Sequence, residues 1–354
     1  MKPYRLTRTS LAALQPDGLV LTQDVRDPAG RIVASKGSRL TEEIVGRLAT
    51  AEWDEVHMVQ LDAEDVHEVD AGARLARAVA GRDVEVGAMT AGHWPLLAAA
   101  RGVVDIDTAT LREINALNGM SLYTLFAGQV VDKGETIARG KIVPFAVPQE
   151  TLLRAEQSAS EHSGVIHIRR FVPTRLAAVI QESLGDRAMA RAHAVLAEKV
   201  GWFGSTLIAP RFVTPSVDEL TTALAEQISE GAQVLVVAGS RAMDPLDPAF
   251  ETLARLGARI ERHGLPAHPG SLLWLGYVNA GEGKTERTIV GLPSCGLFSQ
   301  ASVFDLLLPR ILSGERLTNE SLAELGHGGL LTRDMQFRFP PYRSGTRRGE
   351  VLDE

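Results

Sequence analysis

The run Val234-Leu-Val-Val237 is apolar at all four positions, and Leu176-Ala-Ala-Val-Ile180 has the same character upstream. A strand with one face in water alternates apolar and polar residues, so a strand without alternation must be covered on both sides. Segments of helical periodicity lie between such runs, at about 188–201 and 217–230, the second opened by Ser216 as N-cap. Further helices over 248–256 and about 300–312 frame this set, with shorter strands at 206–209 and 289–290. Strands alternating with helices predict an α/β domain over 173–333, a three-layer arrangement with a mostly parallel sheet covered by helices on both faces. Such sheets bind ligands beyond the carboxyl ends of their strands, so the loops after Ile180, Ala209, Val237 and Val290 are where chemistry is expected.

The first 172 residues read differently. Short strands at 19–21 and 56–59 enclose a hairpin turn at Asp27-Pro-Ala-Gly30 and a helix over 42–50. Thr41 caps that helix, and Ile44, Val45 and Leu48 share its apolar face. A second helix over 69–80, with Gly81 as its C-cap, completes an N-terminal α+β subdomain over 1–83. Residues 84–172 form a small β-rich module and connector: a helix over 106–117, a strand at 123–126, and turns at Asp132-Lys-Gly-Glu135 and Ala138-Arg-Gly-Lys141, followed by a strand at 142–145. A helix over 151–156 and a strand at 164–168 lie in the connector, and residues 334–354 read as a flexible tail.

Charge excludes some partners. Lys and Arg total 37 against 44 Asp and Glu, a net charge of -7, the wrong sign for neutralising nucleic-acid phosphates or anionic lipids. No nucleic-acid or membrane partner is expected, and an anion site must be local. No run approaches the roughly 20 apolar residues of a bilayer span. The apolar run at 11–14 is too short for a signal peptide, so a cytoplasmic location is the expectation. The single cysteine, Cys295, excludes an internal disulfide and a multi-thiolate zinc site.

Two loops carry candidate chemistry. In Ala238-Gly-Ser-Arg-Ala-Met-Asp-Pro-Leu-Asp-Pro248, Gly239 and Ser240 offer backbone N–H groups to an anion such as phosphate. The following helix N-terminus favours the same charge, and Arg241 adds a charge-assisted bond. Asp244 and Asp247 supply oxygen ligands suited to Mg²⁺ bridged to phosphate, which makes them the candidate metal ligands and catalytic residues. Asp247 equally suits the N-cap of the helix at Pro248, and the two roles are not exclusive. In Gly291-Leu-Pro-Ser-Cys-Gly296, Gly291, Leu292, Pro293 and Ser294 form a second backbone-donor cradle. Cys295 has the setting of a nucleophile but no positioned base that can be named. His263 and His268, in a Pro/Gly-rich stretch, read more simply as surface residues than as metal ligands, as does the acidic Asp65-Val-His-Glu68.

Together these features resemble the molybdopterin-binding domain family of molybdopterin adenylyltransferases and molybdenum insertases. The resemblance is carried by the strand at 234–237, Ala238-Gly-Ser, Asp247, Gly257-Ala-Arg-Ile-Glu-Arg-His-Gly264 ahead of Pro269-Gly270, and Gly291-Leu-Pro. Over about residues 10–332 the chain is similar to the pterin-binding half of fusions with a molybdenum-cofactor nucleotidyltransferase. The markers are Glu64-Asp-Val-His-Glu68, Lys141-Ile-Val-Pro-Phe-Ala-Val-Pro148, His268-Pro-Gly-Ser-Leu-Leu273 and Gly326-His-Gly-Gly-Leu330.

The resemblance implies molybdopterin as ligand or substrate: Gly239 and Ser240 match the family's phosphate loop, Asp247 its acidic position, and Gly291, Leu292 and Pro293 its second loop. With the loop reading, Arg241, Pro269, Gly270 and Ser294 complete the expected pterin-binding set, and Asp244 joins Asp247 near Mg²⁺ and a nucleotide. It also implies a homo-oligomer and, as partner, a molybdoenzyme or a cofactor nucleotidyltransferase. The sequence departs from the family where Val-Ala-Gly-Ser replaces Thr/Ser-Gly-Gly-Thr/Val and where Gly-Leu-Pro-Ser-Cys-Gly replaces Gly-Leu-Pro-Gly-Asn-Pro. Binding or handling of the pterin in molybdenum-cofactor biosynthesis is therefore the leading expectation. A Mg²⁺-dependent enzyme of the pathway and a degenerate interaction module are the alternatives.

Overall fold

The computed structural model describes residues 1–241, 243–279, 286–293 and 302–342. The chain forms two compact units, the first of residues 1–100, 105–125 and 132–168, the second of residues 101–104, 126–131 and 169–354.

The chain up to residue 170, which holds the first unit together with β11 and parts of β9 and β14 from the second, opens with β1 (Lys2–Thr7), β2 (Leu19–Leu21), the hairpin β3 (Val25–Arg26) and β4 (Ile32–Ala34), α1 (Glu42–Thr50) and β5 (Glu55–Gln60). β5 pairs antiparallel with both β1 and β2, and α1 places Ile44 and Leu48 in a core with Leu6, Leu21, Val56 and Met58. There follow β6 (Asp65–His67), α2 (Glu68–Val79), β7 (Val84–Val86), β8 (His93–Ala98), β9 (Gly102–Ile106), α3 (Thr108–Asn115) and β10 (Met120–Thr124). Then come β11 (Val130–Val131), β12 (Thr136–Ile142), β13 (Ala146–Pro148), α4 (Gln149–Ser160) and β14 (Ile166–Arg170).

Three details depart from the sequence expectation. Ala138-Arg-Gly-Lys141 is no turn but the middle of β12, held between β10 and β8, and 143–145 is not a strand. Pairing on both sides overrides the turn composition. The helix expected over 106–117 is shorter because the Asp107 carboxylate accepts the Ala109 and Thr110 N–H groups at 3.1 Å and starts α3 there. The helix expected from residue 69 starts at Glu68, because His67 is its cap: Nδ1 accepts from the Val69 N–H at 3.3 Å, and Nε2 donates to the Gly37 carbonyl at 2.9 Å.

The second unit is α/β. Its elements are β15 (Arg175–Ile180), α5 (Asp186–Trp202), β16 (Thr206–Leu207), β17 (Arg211–Phe212), α6 (Val217–Ser229), β18 (Val234–Ala238) and α7 (Pro248–Arg255). They continue with β19 (Ala258–His263), β20 (Trp274–Val278), β21 (Arg287–Leu292) and α8 (Val303–Leu312). The seven-stranded sheet has the order β16-β15-β18-β21-β20-β19, with β17 also beside β15. β15, β18 and β21 run parallel; β20 is antiparallel to β21 on one side and to β19 on the other. Both faces are covered, as the apolar runs require. Leu176, Ala178, Val234 and Val236 pack with Leu196 of α5 and Leu307 of α8. Ala177, Val179, Leu235 and Val237 pack with Leu224 of α6 and Leu253 of α7. No helix among the described residues is long and apolar enough to cross a membrane.

Trp274 is fully buried in β20, directly opposite Gly291 of β21. A Cβ on Gly291 would lie 1.9 Å from the indole Cε2, so only glycine leaves room for the ring. Gly291→Ala should therefore destabilise the protein by about 1–3 kcal/mol through overpacking. In a Trp274→Leu background the same substitution should cost less, a coupling readable by denaturant titration of the four proteins.

Burial holds the His67 pKa below its ordinary 6.5, with the nearby Arg39 charge acting in the same direction. Between its folded pKa and 6.5 the unfolded chain binds more protons, so this contribution is present above 6.5 and is lost as pH falls below it. His67→Asn, which keeps a cap acceptor but does not titrate, should lessen the loss of stability between pH 7.5 and 5 in thermal melts.

Candidate functional site

Parallel pairing brings the ends of three strands to one level, with Ile180 beside Ala238 and Ala238 beside Leu292. The pairing continues one residue further: the Gln181 N–H donates to the Ala238 carbonyl at 3.0 Å, and the Gly239 N–H donates to the Leu292 carbonyl at 2.9 Å. Beyond these ends lies an open cleft of about 610 Å³, lined by the polar Glu182, Ser240, Arg241 and Asp244 and by the apolar Met243, Pro245, Leu272 and Pro293. Gly239, also in the lining, has φ +82°, and a Cβ there would stand 3.2 Å from the Gln181 carbonyl oxygen.

Ser240 is buried, and its Oγ accepts the Trp274 indole N–H at 3.0 Å. Ser240 lines the cleft, and neither its hydroxyl proton nor its backbone N–H has an acceptor among the described residues. The Arg241 side chain is 76% exposed and approaches Asp244 only at 4.0 Å, which leaves the guanidinium able to meet an anion.

Asp247 is 4% exposed and fully engaged. Its Oδ1 accepts from the Ala249 N–H at 2.9 Å and the Gln181 amide at 3.0 Å; its Oδ2 accepts from the Arg241 N–H at 2.6 Å and the same amide at 3.3 Å. Asp247 is thus the N-cap of α7 and the clamp of the loop before it. The sequence expectation set an external anion at this helix N-terminus, with Asp247 as cap beside it. The protein's own carboxylate occupies that end, and the residue after it, Pro248, has no N–H to offer.

The expected Mg²⁺ pair does not fit this donor set. Displacing the Gln181 amide or the loop N–H from Asp247 would orphan a buried donor, at about 1–3 kcal/mol each. Asp244, for its part, accepts the Leu246 N–H at 3.0 Å. No group of three His, Cys, Asp or Glu among the described residues is placed to hold a metal ion.

Of the second loop, Pro293 lines the cleft, whereas Gly291 and Leu292 are the buried last two residues of β21. Ser294 and Cys295 lie outside the described residues. Pro269 and Gly270 pack on the start of α8: the bond before Pro269 is cis, its carbonyl accepts the Val303 N–H at 3.1 Å, and a Cβ on Gly270 would meet the Val303 Cβ at 3.0 Å. His263 stacks on Phe250 at 5.2 Å, and the backbone of His268 bonds with Gly329 and Leu331. Six residues of the site were absent from the expected site residues: Gln181, Glu182, Met243, Pro245, Leu272 and Trp274. The available signals were a polar pair just after a buried strand and a glycine within a strand, which marks a close approach.

No protein-family model and no curated protein matches the chain. Among solved structures, the tungsten cofactor synthesizing protein MoaB from Pyrococcus furiosus is similar over 41% of this chain and 98% of its own, with 15% identity and a TM-score of 0.29. A protein assigned to molybdenum cofactor biosynthesis from Corynebacterium diphtheriae is similar over 45% of this chain and 100% of its own, with 16% identity and a TM-score of 0.28. The likeness is distant, covers part of the chain and is one of fold.

Asp247→Ala removes a cap, leaves the Arg241 N–H without its acceptor and leaves the Gln181 amide only the Gly239 carbonyl. It should cost about 2–4 kcal/mol, beyond a simple capping loss. Hydrogen exchange should show the loop at 239–247 opening ahead of the sheet.

Proposed function

We propose that the cleft binds a phosphorylated pterin of the molybdopterin class and that the protein holds or delivers this cofactor in molybdenum-cofactor biosynthesis. The observation that carries the reading is that one cleft is lined both by groups that suit an anion and by apolar side chains. Ser240 and Arg241 suit a phosphate; Met243, Pro245, Leu272 and Pro293 suit the flat body of a pterin. The sequence motifs around Gly239, Asp247 and Pro293 agree with it. Delivery to a molybdoenzyme or to a cofactor nucleotidyltransferase, and self-association of the chain, belong to the same proposal.

Handling is favoured over nucleotidyl transfer or molybdate insertion by the state of Asp247, whose oxygens are spent on three protein N–H donors. The test is calorimetric titration with molybdopterin, with and without Mg-ATP or Mg-CTP, followed by analysis of the products. Binding without nucleotide chemistry is expected; turnover would make the protein an enzyme of the pathway. Arg241→Glu, on an exposed side chain, should leave the fold intact and weaken pterin binding at least about tenfold, or about 1.4 kcal/mol. Unchanged affinity would remove the phosphate from this edge of the cleft.

A further inference from the structure

The side-chain amide of Gln181 is oriented by its surroundings. Its Nε2 lies 3.0 and 3.3 Å from the two carboxylate oxygens of Asp247 and 3.3 Å from the Gly239 carbonyl oxygen, three acceptors and no donor. Reversing the amide would set its oxygen against all three. The amide keeps this orientation although Oε1 is then buried with no partner among the described residues. The N–H₂ group thus spans both oxygens of one carboxylate, the position a bidentate cation would take. Arg241 and Ala249 supply the remaining donors from the backbone. A divalent cation demands oxygen ligands at about 2.0–2.6 Å, and an amide N–H₂ on the same two oxygens leaves it no room.

We propose that Gln181 stands in for a cation: its amide holds Asp247 and the loop at 239–247 in place, and the cleft takes its phosphate without a divalent metal. The ligand part rests on the proposed reading of the cleft as a pterin-phosphate site; the metal part rests on Gln181 and Asp247 alone. Gln181 is a positioning residue. It acts on the anion through Asp247 and the Arg241 N–H, two bonds away from the guanidinium and hydroxyl that face the cleft.

The test uses the full chain and Mn²⁺ alone, followed by loss of the free-ion electron paramagnetic resonance signal and by thermal melts. The wild-type protein should show no Mn²⁺ site that depends on Asp247 at millimolar metal. Gln181→Glu sets a second carboxylate against Asp247, so it should melt lower than wild type in EDTA, recover with Mn²⁺, and lose that recovery in the Gln181→Glu, Asp247→Asn double variant. Mn²⁺ binding by wild type that disappears in Asp247→Asn would overturn the proposal, as would a folded Gln181→Glu protein that gains no Mn²⁺ site. Should Gln181→Glu fail to fold, the comparison of wild type with Asp247→Asn still decides. In a second arm, molybdopterin affinity measured in EDTA and in Mg²⁺ should agree within about twofold, and a tenfold gain with Mg²⁺ would contradict the proposal. Absence of any pterin binding would end the ligand reading while leaving the Mn²⁺ result to stand or fall by itself.

Discussion

The indole of Trp274 ties the candidate site to the sheet beneath it. It is fully buried, it rests on the bare backbone of Gly291, and its N–H reaches the Ser240 hydroxyl at 3.0 Å. One side chain from an antiparallel strand therefore fixes both the spacing of β20 against β21 and the position of the loop that follows β18. The glycine of Gly-Leu-Pro has a definite purpose in this chain: it admits a ring. Because an indole N–H buried without an acceptor is costly, Ser240 is held in place as firmly as the core itself.

Around that anchor the charges are arranged so that the loop needs no ligand to keep its shape. Asp247 draws in the Gln181 amide, the Arg241 N–H and the first N–H of α7, so the negative end of the loop is buried and satisfied. What lines the cleft is then Ser240 and the exposed Arg241 guanidinium beside the carboxylates of Glu182 and Asp244, so the anion-accepting groups are local in a chain whose net charge is -7. The start of α8 is fixed in a comparable way. Asp305, fully buried, accepts from Lys199 at 2.7 Å, from the Ser302 N–H at 2.9 Å and from the Tyr342 hydroxyl at 2.9 Å. Burial, with the Asp305 charge adding to it, pushes the Tyr342 pKa far up, so the hydroxyl remains a donor. A preorganised loop of this kind lowers the ordering cost of binding.

The parallel strands were legible because their apolar runs have no polar face, and the glycine-bearing loops were legible because tight turns restrict residue choice. β19 was not. It is the edge of the sheet, and its Arg259, Glu261, Arg262 and His263 give it the look of a solvated turn, as edge strands that resist further pairing do. The antiparallel return of β20 was hidden with it, and Trp274 with β20. The roles of individual polar residues were hidden by distance along the chain. Gln181 meets Asp247 across 66 positions, and Trp274 meets Ser240 across 34. Spacing within one loop showed Asp247 as cap or metal ligand; the amide of Gln181, just beyond the neighbouring strand, which touches both of its oxygens, was out of reach of that spacing.

The central claim is tested most directly by a crystal structure of the protein with molybdopterin bound. The account predicts the phosphate within hydrogen-bonding distance, about 3 Å, of the Ser240 N–H and the Arg241 guanidinium, with the pterin against Leu272 and Pro293 and no metal on Asp247. A pterin found at any other place on the chain, such as the groove lined by Arg211 and Phe212, or a cation bridging its phosphate to Asp247, would contradict it.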